Sequence, residues 1–240
     1  MTIKISIVLP VHNEFYNLYN LLSEWNKELN KVKSITYEFV LVEDGSTDGT
    51  KELIIKLEKI FPIINLSAKL KRGYSKAVLD GIRSATGDYI LCTDSDNQIK
   101  AKSLIDNLNN LPRDNEFLIG IRSPRKDPTI RIVYSKLFKV LHNVLFKSKI
   151  SDPSCPFVLG KNEEFKKLPE SLLLKCKEGF WWAFTAVCIK FNVKIKETKI
   201  QHFERKYGNS GYSIKKIPLI ATRNIIGLFL IKFLKKLPNN

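Results

Sequence analysis

Short β-branched runs alternate with longer amphipathic stretches through the first half of this chain, and that alternation is the mark of βαβ units around a mainly parallel sheet. Residues 3–9 predict a first strand and residues 14–29 a first helix. A second strand follows at 39–42, then a helix over 50–60 and a short third strand at 63–66. Gly73 opens a helix that runs through Ala85, Gly87 ends it, and residues 89–93 and 117–121 read as two more strands. Residues 122–129 carry three basic side chains and two prolines, a loop composition. The expectation is a doubly wound α/β domain.

A length of 240 residues suits one large domain with an appended C-terminal segment, and an apolar share of 44% can fill its core. The formal charge of +16 draws polyanions, whether nucleic acid, anionic lipid headgroups or phosphorylated substrates, without choosing among them. Cys92, Cys155, Cys176 and Cys188 are widely spaced with no Cys-x-x-Cys pair, which reads as reduced thiols of a cytosolic protein. Residues 3–9 are too brief for a signal peptide and stop at Pro10.

In open α/β sheets, ligands bind beyond the carboxyl ends of the strands. Three acidic groups fall at such ends: Glu14, Glu43 with Asp44, and Asp94 with Asp96. Mg²⁺ is held by one or two carboxylates plus substrate phosphates, and carboxylates one residue apart in extended chain project to the same side. Gln98 is either a neutral oxygen ligand to the same cation or an ordinary surface side chain. Asp44 can accept hydrogen bonds from a base or ribose, and Gly45 lets the backbone approach a ligand. Ser46, Thr47 or Asp48 can cap the next helix.

The run Ile7-Val8-Leu9-Pro10-Val11-His12-Asn13-Glu14, the Glu43-Asp44-Gly45-Ser46 turn, the helix start from Gly73 to Ala77, Gly87-Asp88-Tyr89 and Asp94-x-Asp96-x-Gln98 together resemble glycosyltransferase family 2. Within it the chain looks most like the dolichol-phosphate mannosyltransferase-like and polyprenyl-phosphate glycosyltransferase branch, over residues 3 to 213. The resemblance implies the nucleotide-diphospho-sugar transferase (GT-A, Rossmann-like) fold, with a nucleotide-sugar-binding half at 1–100, an acceptor-binding half at 101–212 and a basic amphipathic helix over 213–240. It implies that Pro10, Val11, Glu14, Gly73 and Ser95 line the nucleotide-sugar pocket, that Asp44 meets the base, and that Asp94, Asp96 and Gln98 hold Mg²⁺ or Mn²⁺ against the diphosphate of a UDP- or GDP-sugar. Arg122, Arg131 and Ser135 fall where the acceptor phosphate sits, with Arg125 a weaker candidate, and guanidinium forks suit phosphate oxygens. Residues 202–210 resemble the family's Arg-x-x-Gly-x-Ser loop over the diphosphate, so Arg205 and Ser210 carry over. Asp96 and Arg205 are the expected catalytic pair, and His202 reads as a loop histidine bonded to its neighbours.

A sugar hydroxyl acceptor needs a base, whereas a phosphate monoester is already ionised near neutrality. The processive enzymes' Gln-x-x-Arg-Trp motif is absent from the sequence, and Ala183 stands where the lipid-linked branch often has a glutamate. These features favour a polyprenyl phosphate acceptor in cell-envelope or glycoconjugate synthesis. Glu178 remains a candidate base for the alternative, a sugar hydroxyl of a surface polysaccharide or lipopolysaccharide.

The stretch 217–237 is broken by Arg223 and Lys232, and its longest apolar run is far below the roughly 18 residues of a spanning helix. Leu230, Phe233, Leu234 and Leu237 share a helical face opposite Lys232, Lys235 and Lys236. In residues 131–147, Leu137, Leu141 and Val144 oppose Lys136, Lys139 and Lys147. The expectation is a peripheral protein on the anionic cytoplasmic face of a membrane, with room for a membrane-protein partner. Acidic clusters at the strand ends argue against a nucleic-acid module.

Overall fold

The computed structural model of the chain describes residues 2–176, 178–205, 207 and 217–234. Its elements, in chain order, begin with β1 (Ile3–Val11), α1 (Phe15–Leu29), β2 (Ile35–Glu43), α2 (Thr50–Leu57), β3 (Ile63–Ser67) and α3 (Tyr74–Ser84). They continue with β4 (Tyr89–Cys92), α4 (Lys102–Ile105), β5 (Glu116–Arg122), α5 (Thr129–Phe146), β6 (Val158–Lys161) and α6 (Asn162–Lys167). The remainder are α7 (Glu170–Leu173), α8 (Phe180–Lys190), β7 (Lys194–Ile200) and α9 (Ile217–Phe233).

The strands form one seven-stranded sheet in the order β3-β2-β1-β4-β6-β5-β7. β1, β2, β3 and β4 run parallel to one another, and β7 runs parallel to β5. β6 is antiparallel to both of its neighbours. Burial on both faces explains why β1 reads as a nearly continuous apolar run. Its one polar interior residue, Ser6, is satisfied: the hydroxyl donates to Glu38 Oε1 at 2.6 Å and accepts the Gly87 amide at 2.8 Å.

The predicted strands of the first half are all present, with β1 and β2 longer than their apolar runs. β6 and β7 were not anticipated. β6 is only four residues long and contains a glycine, and β7 alternates lysines along an exposed edge, so neither carries a buried-strand signature.

The second half has its own aromatic core, with Phe117 edge-on to both Phe165 and Phe184 at 4.7 and 5.0 Å. α8 is buried along most of its length and carries α9 on its outer side. Lys190 donates to the carbonyls of Ile231 at 2.5 Å and Lys232 at 3.3 Å, satisfying the last turn of α9. α5 buries only His142 and Phe146. Lys235, Lys236, Leu237 and Ser210 lie outside the described residues.

Candidate functional site

The strand order reverses between β1 and β4, which makes the crevice at their carboxyl ends the expected ligand position. Ser95 is buried there and donates its hydroxyl to the Pro10 carbonyl at 2.7 Å, tying the loop after β4 to the end of β1. Val11 accepts the Asp44 amide at 2.9 Å. Asp44, assigned to the base by resemblance, has both carboxylate oxygens on backbone amides, those of Arg72 at 2.7 Å and Gly73 at 2.8 Å. It anchors the turn that opens α3. Gly45 permits this closure: its φ is +71°, and a Cβ would meet the Lys71 nitrogen at 2.6 Å.

Glu14, Asp94 and Asp96 feel one another's charge across the crevice, and Arg205 reaches Glu14 and Asp96. Its guanidinium donates to Glu14 Oε1 at 2.5 Å and lies 3.7 Å from Asp96 Oδ2. Its Nε also donates to the Tyr207 carbonyl at 2.8 Å. Asn17 supports the same join, donating to Glu14 Oε2 at 2.6 Å and to Tyr207 O at 3.2 Å. Glu14 thus holds the Arg205 segment against the first turn of α1.

Burial, and then the charge of Asp96, push the Asp94 carboxyl up to about 7. Burial likewise raises Asp96, opposed by the Gln98 amide and the charge of Arg205. Two ionisable carboxyls crowded into one low-dielectric crevice are a donor set that a divalent cation would relieve. No group of three or more such ligands gathers among the described residues, so a cation here would draw its remaining oxygens from water or a bound phosphate. Gln98, read either as a neutral oxygen ligand or as a surface side chain, donates its side-chain nitrogen to the Phe203 carbonyl at 2.9 Å and its backbone amide to Asp96 Oδ1 at 3.1 Å; both bonds are made by nitrogens and do not bear on its side-chain oxygen as a ligand.

Two groups beside Asp94 were not assigned to it from the sequence. Tyr74 donates its hydroxyl to Asp94 Oδ1 at 2.7 Å, and Trp181 donates its indole nitrogen to the Tyr74 oxygen at 2.8 Å. Trp181 is buried, as a core-facing helix position suggests.

A cavity of about 490 Å³ is lined by Asp94, by Arg122, Arg125, Arg131 and Ser135, and by Leu137, Leu141 and Trp182 of α5 and α8 with Ile220 and Ile225 of α9. The arginines reached by resemblance are present, but they come with carboxylates that were not foreseen. Arg122 is bidentate to Asp152 at 2.8 Å through both nitrogens and donates to Ser154 at 2.7 Å. Arg125 donates to Asp127 at 2.6 Å and to Ser135 at 2.7 Å, and Arg131 lies 3.3 Å from Asp127. Burial opposes ionisation of Asp127, yet the hydrogen bond and charge of Arg125, with the charges of Arg131 and Arg122, hold it below the usual carboxylate range. Arg131 is the more exposed of the two favoured arginines, at 30% against 8% for Arg122. The only local hints of these carboxylates are that both precede a proline in loop sequence.

His202 is buried and accepts the Lys126 amide on Nδ1 at 3.1 Å. Burial, reinforced by the Arg122 charge, lowers its pKa to about 4, so it stays neutral, as a loop histidine bonded to its neighbours should. Glu178 also lines the cavity and pairs with Arg223 at 3.2 Å. Ala183 is fully buried.

The Glycosyl transferase family 2 model matches residues 6–169. Among curated proteins, the chain is 26% identical over 217 residues to the undecaprenyl-phosphate 4-deoxy-4-formamido-L-arabinose transferase of Yersinia enterocolitica, covering 89% of this chain and 64% of that protein. The enzyme of the same name from Proteus mirabilis is equally similar, at 26% identity with the same coverage. The chain therefore spans less than two thirds of the length of these relatives. Among solved structures, glucosyl-3-phosphoglycerate synthase from Mycobacterium tuberculosis in complex with Mn²⁺, UDP and glucosyl-3-phosphoglycerate superposes with a TM-score of 0.66 at 15% identity, covering 98% of this chain and 81% of that one. The mannosyltransferase PcManGT from Pyrobaculum calidifontis in complex with GDP-Man and Mn²⁺ gives 0.64 at 16% identity, covering 99% and 67%.

Proposed function

The chain belongs to glycosyl transferase family 2, and from that premise we propose that it is an inverting, metal-dependent glycosyltransferase that moves a hexose-type sugar from a UDP- or GDP-sugar to a polyprenyl phosphate. The observation that carries this reading is one cavity lined at once by Asp94, by three arginines and by apolar side chains of α5, α8 and α9. An acceptor with an anionic head and a hydrocarbon tail has that polarity. The relatives named above are undecaprenyl-phosphate transferases, and two of the structural neighbours hold Mn²⁺ with UDP or GDP-Man.

In this reading Asp94 and Asp96 hold Mg²⁺ or Mn²⁺, which when bound neutralises the leaving diphosphate. Pro10, Val11, Gly73 and Ser95 shape the nucleotide-sugar pocket, and Ser210 joins it from the segment after Arg205. Arg205 donates to the diphosphate as negative charge develops there, leaving Glu14 to do so. Arg131, with Arg122 and Ser135 behind it, orients the acceptor phosphate. A phosphate oxygen attacks the anomeric carbon, the bond from that carbon to the diphosphate oxygen breaks, and the nucleoside diphosphate departs with the electron pair. No proton need be removed, because the attacking phosphate is already ionised. The exposed apolar faces of α5 and α9, with Lys136 and Lys232 beside them, support a peripheral position on an anionic cytoplasmic membrane surface, open to a membrane-protein partner. No helix among the described residues is long and apolar enough to cross a membrane.

The test is transfer of radiolabelled sugar from UDP- and GDP-sugars into the organic phase, with Mn²⁺ and polyprenyl phosphate. Asp96→Ala should abolish it while preserving the fold; full metal-dependent transfer by that variant refutes the assignment. Glu178 supports a second reading, because it lines the same cavity and could serve as base for a sugar hydroxyl. That reading requires Glu178→Gln to be inactive with a saccharide acceptor.

A further inference from the structure

We infer that Tyr74 and Trp181 form a positioning relay that fixes the Asp94 carboxylate for cation binding. The inference rests on the reading of Asp94 and Asp96 as the cation's protein ligands, and it adds two residues which that reading does not use.

The direction of the relay follows from hydrogen-bond chemistry. An indole nitrogen can only donate, whereas a phenol both donates and accepts. Trp181 Nε1 therefore donates to the Tyr74 oxygen at 2.8 Å, and the phenolic proton points to Asp94 Oδ1, 2.7 Å away. Each member is held from outside the relay. Trp181 is 6% exposed and packs edge-on against Phe180 and Phe184, with ring centroids 4.9 and 5.6 Å away. Tyr74 begins α3 directly after Gly73, whose amide is fixed on Asp44. Asp94 follows Thr93, whose amide donates to Val8 of β1 at 3.1 Å. Three segments distant in sequence are thus linked in one chain of hydrogen bonds, and Asp94, Tyr74 and Trp181 all line the cavity.

Groups that hydrogen-bond a ligating carboxylate set its orientation, and their loss commonly weakens metal affinity about 10- to 100-fold. The Trp181 indole nitrogen is committed to the tyrosine oxygen and so acts on Asp94 through it. Its removal should therefore matter only while the Tyr74 hydroxyl is present.

The experiment is titration of the full chain with Mn²⁺ alone, following free Mn²⁺ by electron paramagnetic resonance, with near-ultraviolet circular dichroism as a control for packing. Tyr74→Phe keeps the ring and should weaken Mn²⁺ binding about 10- to 100-fold with an unchanged dichroism spectrum. Trp181→Phe should weaken it less, and the double variant should be no weaker than Tyr74→Phe, the non-additivity expected of groups acting in series. Wild-type affinity in Tyr74→Phe, when Asp94→Asn abolishes binding, overturns the relay and leaves the cation reading standing. Additive effects of the two substitutions overturn the part assigned to Trp181. Mn²⁺ binding that survives Asp94→Asn and Asp96→Asn overturns the cation reading and the relay with it.

Discussion

Arg205 brings its charge to Glu14 and Asp96 from more than a hundred residues away in sequence, and its partners explain what its removal should do. Arg205→Ala is expected to lower kcat by about 10²- to 10³-fold, the usual loss when one fixed donor to developing charge is deleted. Steady-state kinetics should show KM for the nucleotide-sugar changing far less. Asp94 gives a pH prediction. Its folded-state pKa, raised to about 7, lies above the ordinary carboxylate value, so the folded chain retains a proton that the unfolded chain has lost. That contribution to stability is complete at low pH and disappears as pH rises through about 7. A protonated carboxyl also ligates poorly, so Mn²⁺ affinity should climb over the same interval. Buried His142 and His202, both lowered to about 4, pull the other way: they are neutral in the folded chain while the unfolded imidazoles still carry protons up to about pH 7.5, so their contribution to stability grows with pH. Because the histidines offset Asp94 in the metal-free midpoint, the readout is the difference made by the metal: thermal melts from about pH 6.5 to about pH 8 should show the Mn²⁺-induced rise growing; a rise that shrinks with pH contradicts the assignment. The carboxylates at the site were legible because each sits just beyond an apolar run. Tyr74, Trp181, Asp127 and Asp152 were not, because their meaning lies in partners brought together only by the fold.

At the scale of elements, α9 is docked by close backbone approach as well as by the buried side chains of Leu228 and Ile231. A Cβ on Gly227 would lie 2.5 Å from the Lys175 carbonyl oxygen and 2.7 Å from Cys176 Sγ, and one on Gly179 would lie 2.6 Å from the Asn224 amide. Gly227→Ala should improve helix propensity by about 1 kcal/mol. The contact with a carbonyl that cannot yield should outweigh this, with overpacking costing about 1–3 kcal/mol. Urea unfolding and proteolytic nicking within 217–234 should report a loosened helix; a more stable variant would mean that α9 tolerates displacement. The parallel half of the sheet was readable because β1, β2 and β4 are buried on both faces and so keep unbroken apolar runs. β7 lies on an edge, where lysines replace that pattern, and β6 is too short to show any period. The antiparallel reversal is a property of pairing, and one strand's sequence does not encode its direction.

For the whole molecule, the +16 charge and the exposed apolar faces act together. Leu137, Val140 and Val144 of α5 are 59–72% exposed, and Ile226, Phe229 and Phe233 of α9 are exposed as well. The chain should therefore co-sediment with vesicles rich in anionic lipid, and less so as salt rises. Leu137→Glu with Phe229→Glu should abolish that association without altering nucleotide affinity. Retained sedimentation would assign the binding to charge alone.

The reversed strand β6 has one more consequence. The chain leaves the sheet at Arg122 and re-enters at Val158 on the adjacent strand, closed by the bond from the Gly120 amide to the Phe157 carbonyl at 2.9 Å. The 35 residues between form, in topological terms, one long hairpin excursion that begins and ends at the same edge of the crevice. Such an excursion can be lengthened, trimmed or exchanged between relatives without rethreading any strand, a freedom denied to the crossovers that join β1 to β2 and β2 to β3. The wall of the cavity that runs from Arg125 to Pro156 can thus diverge within a single contiguous stretch of gene while the half built on β1 to β4 stays fixed.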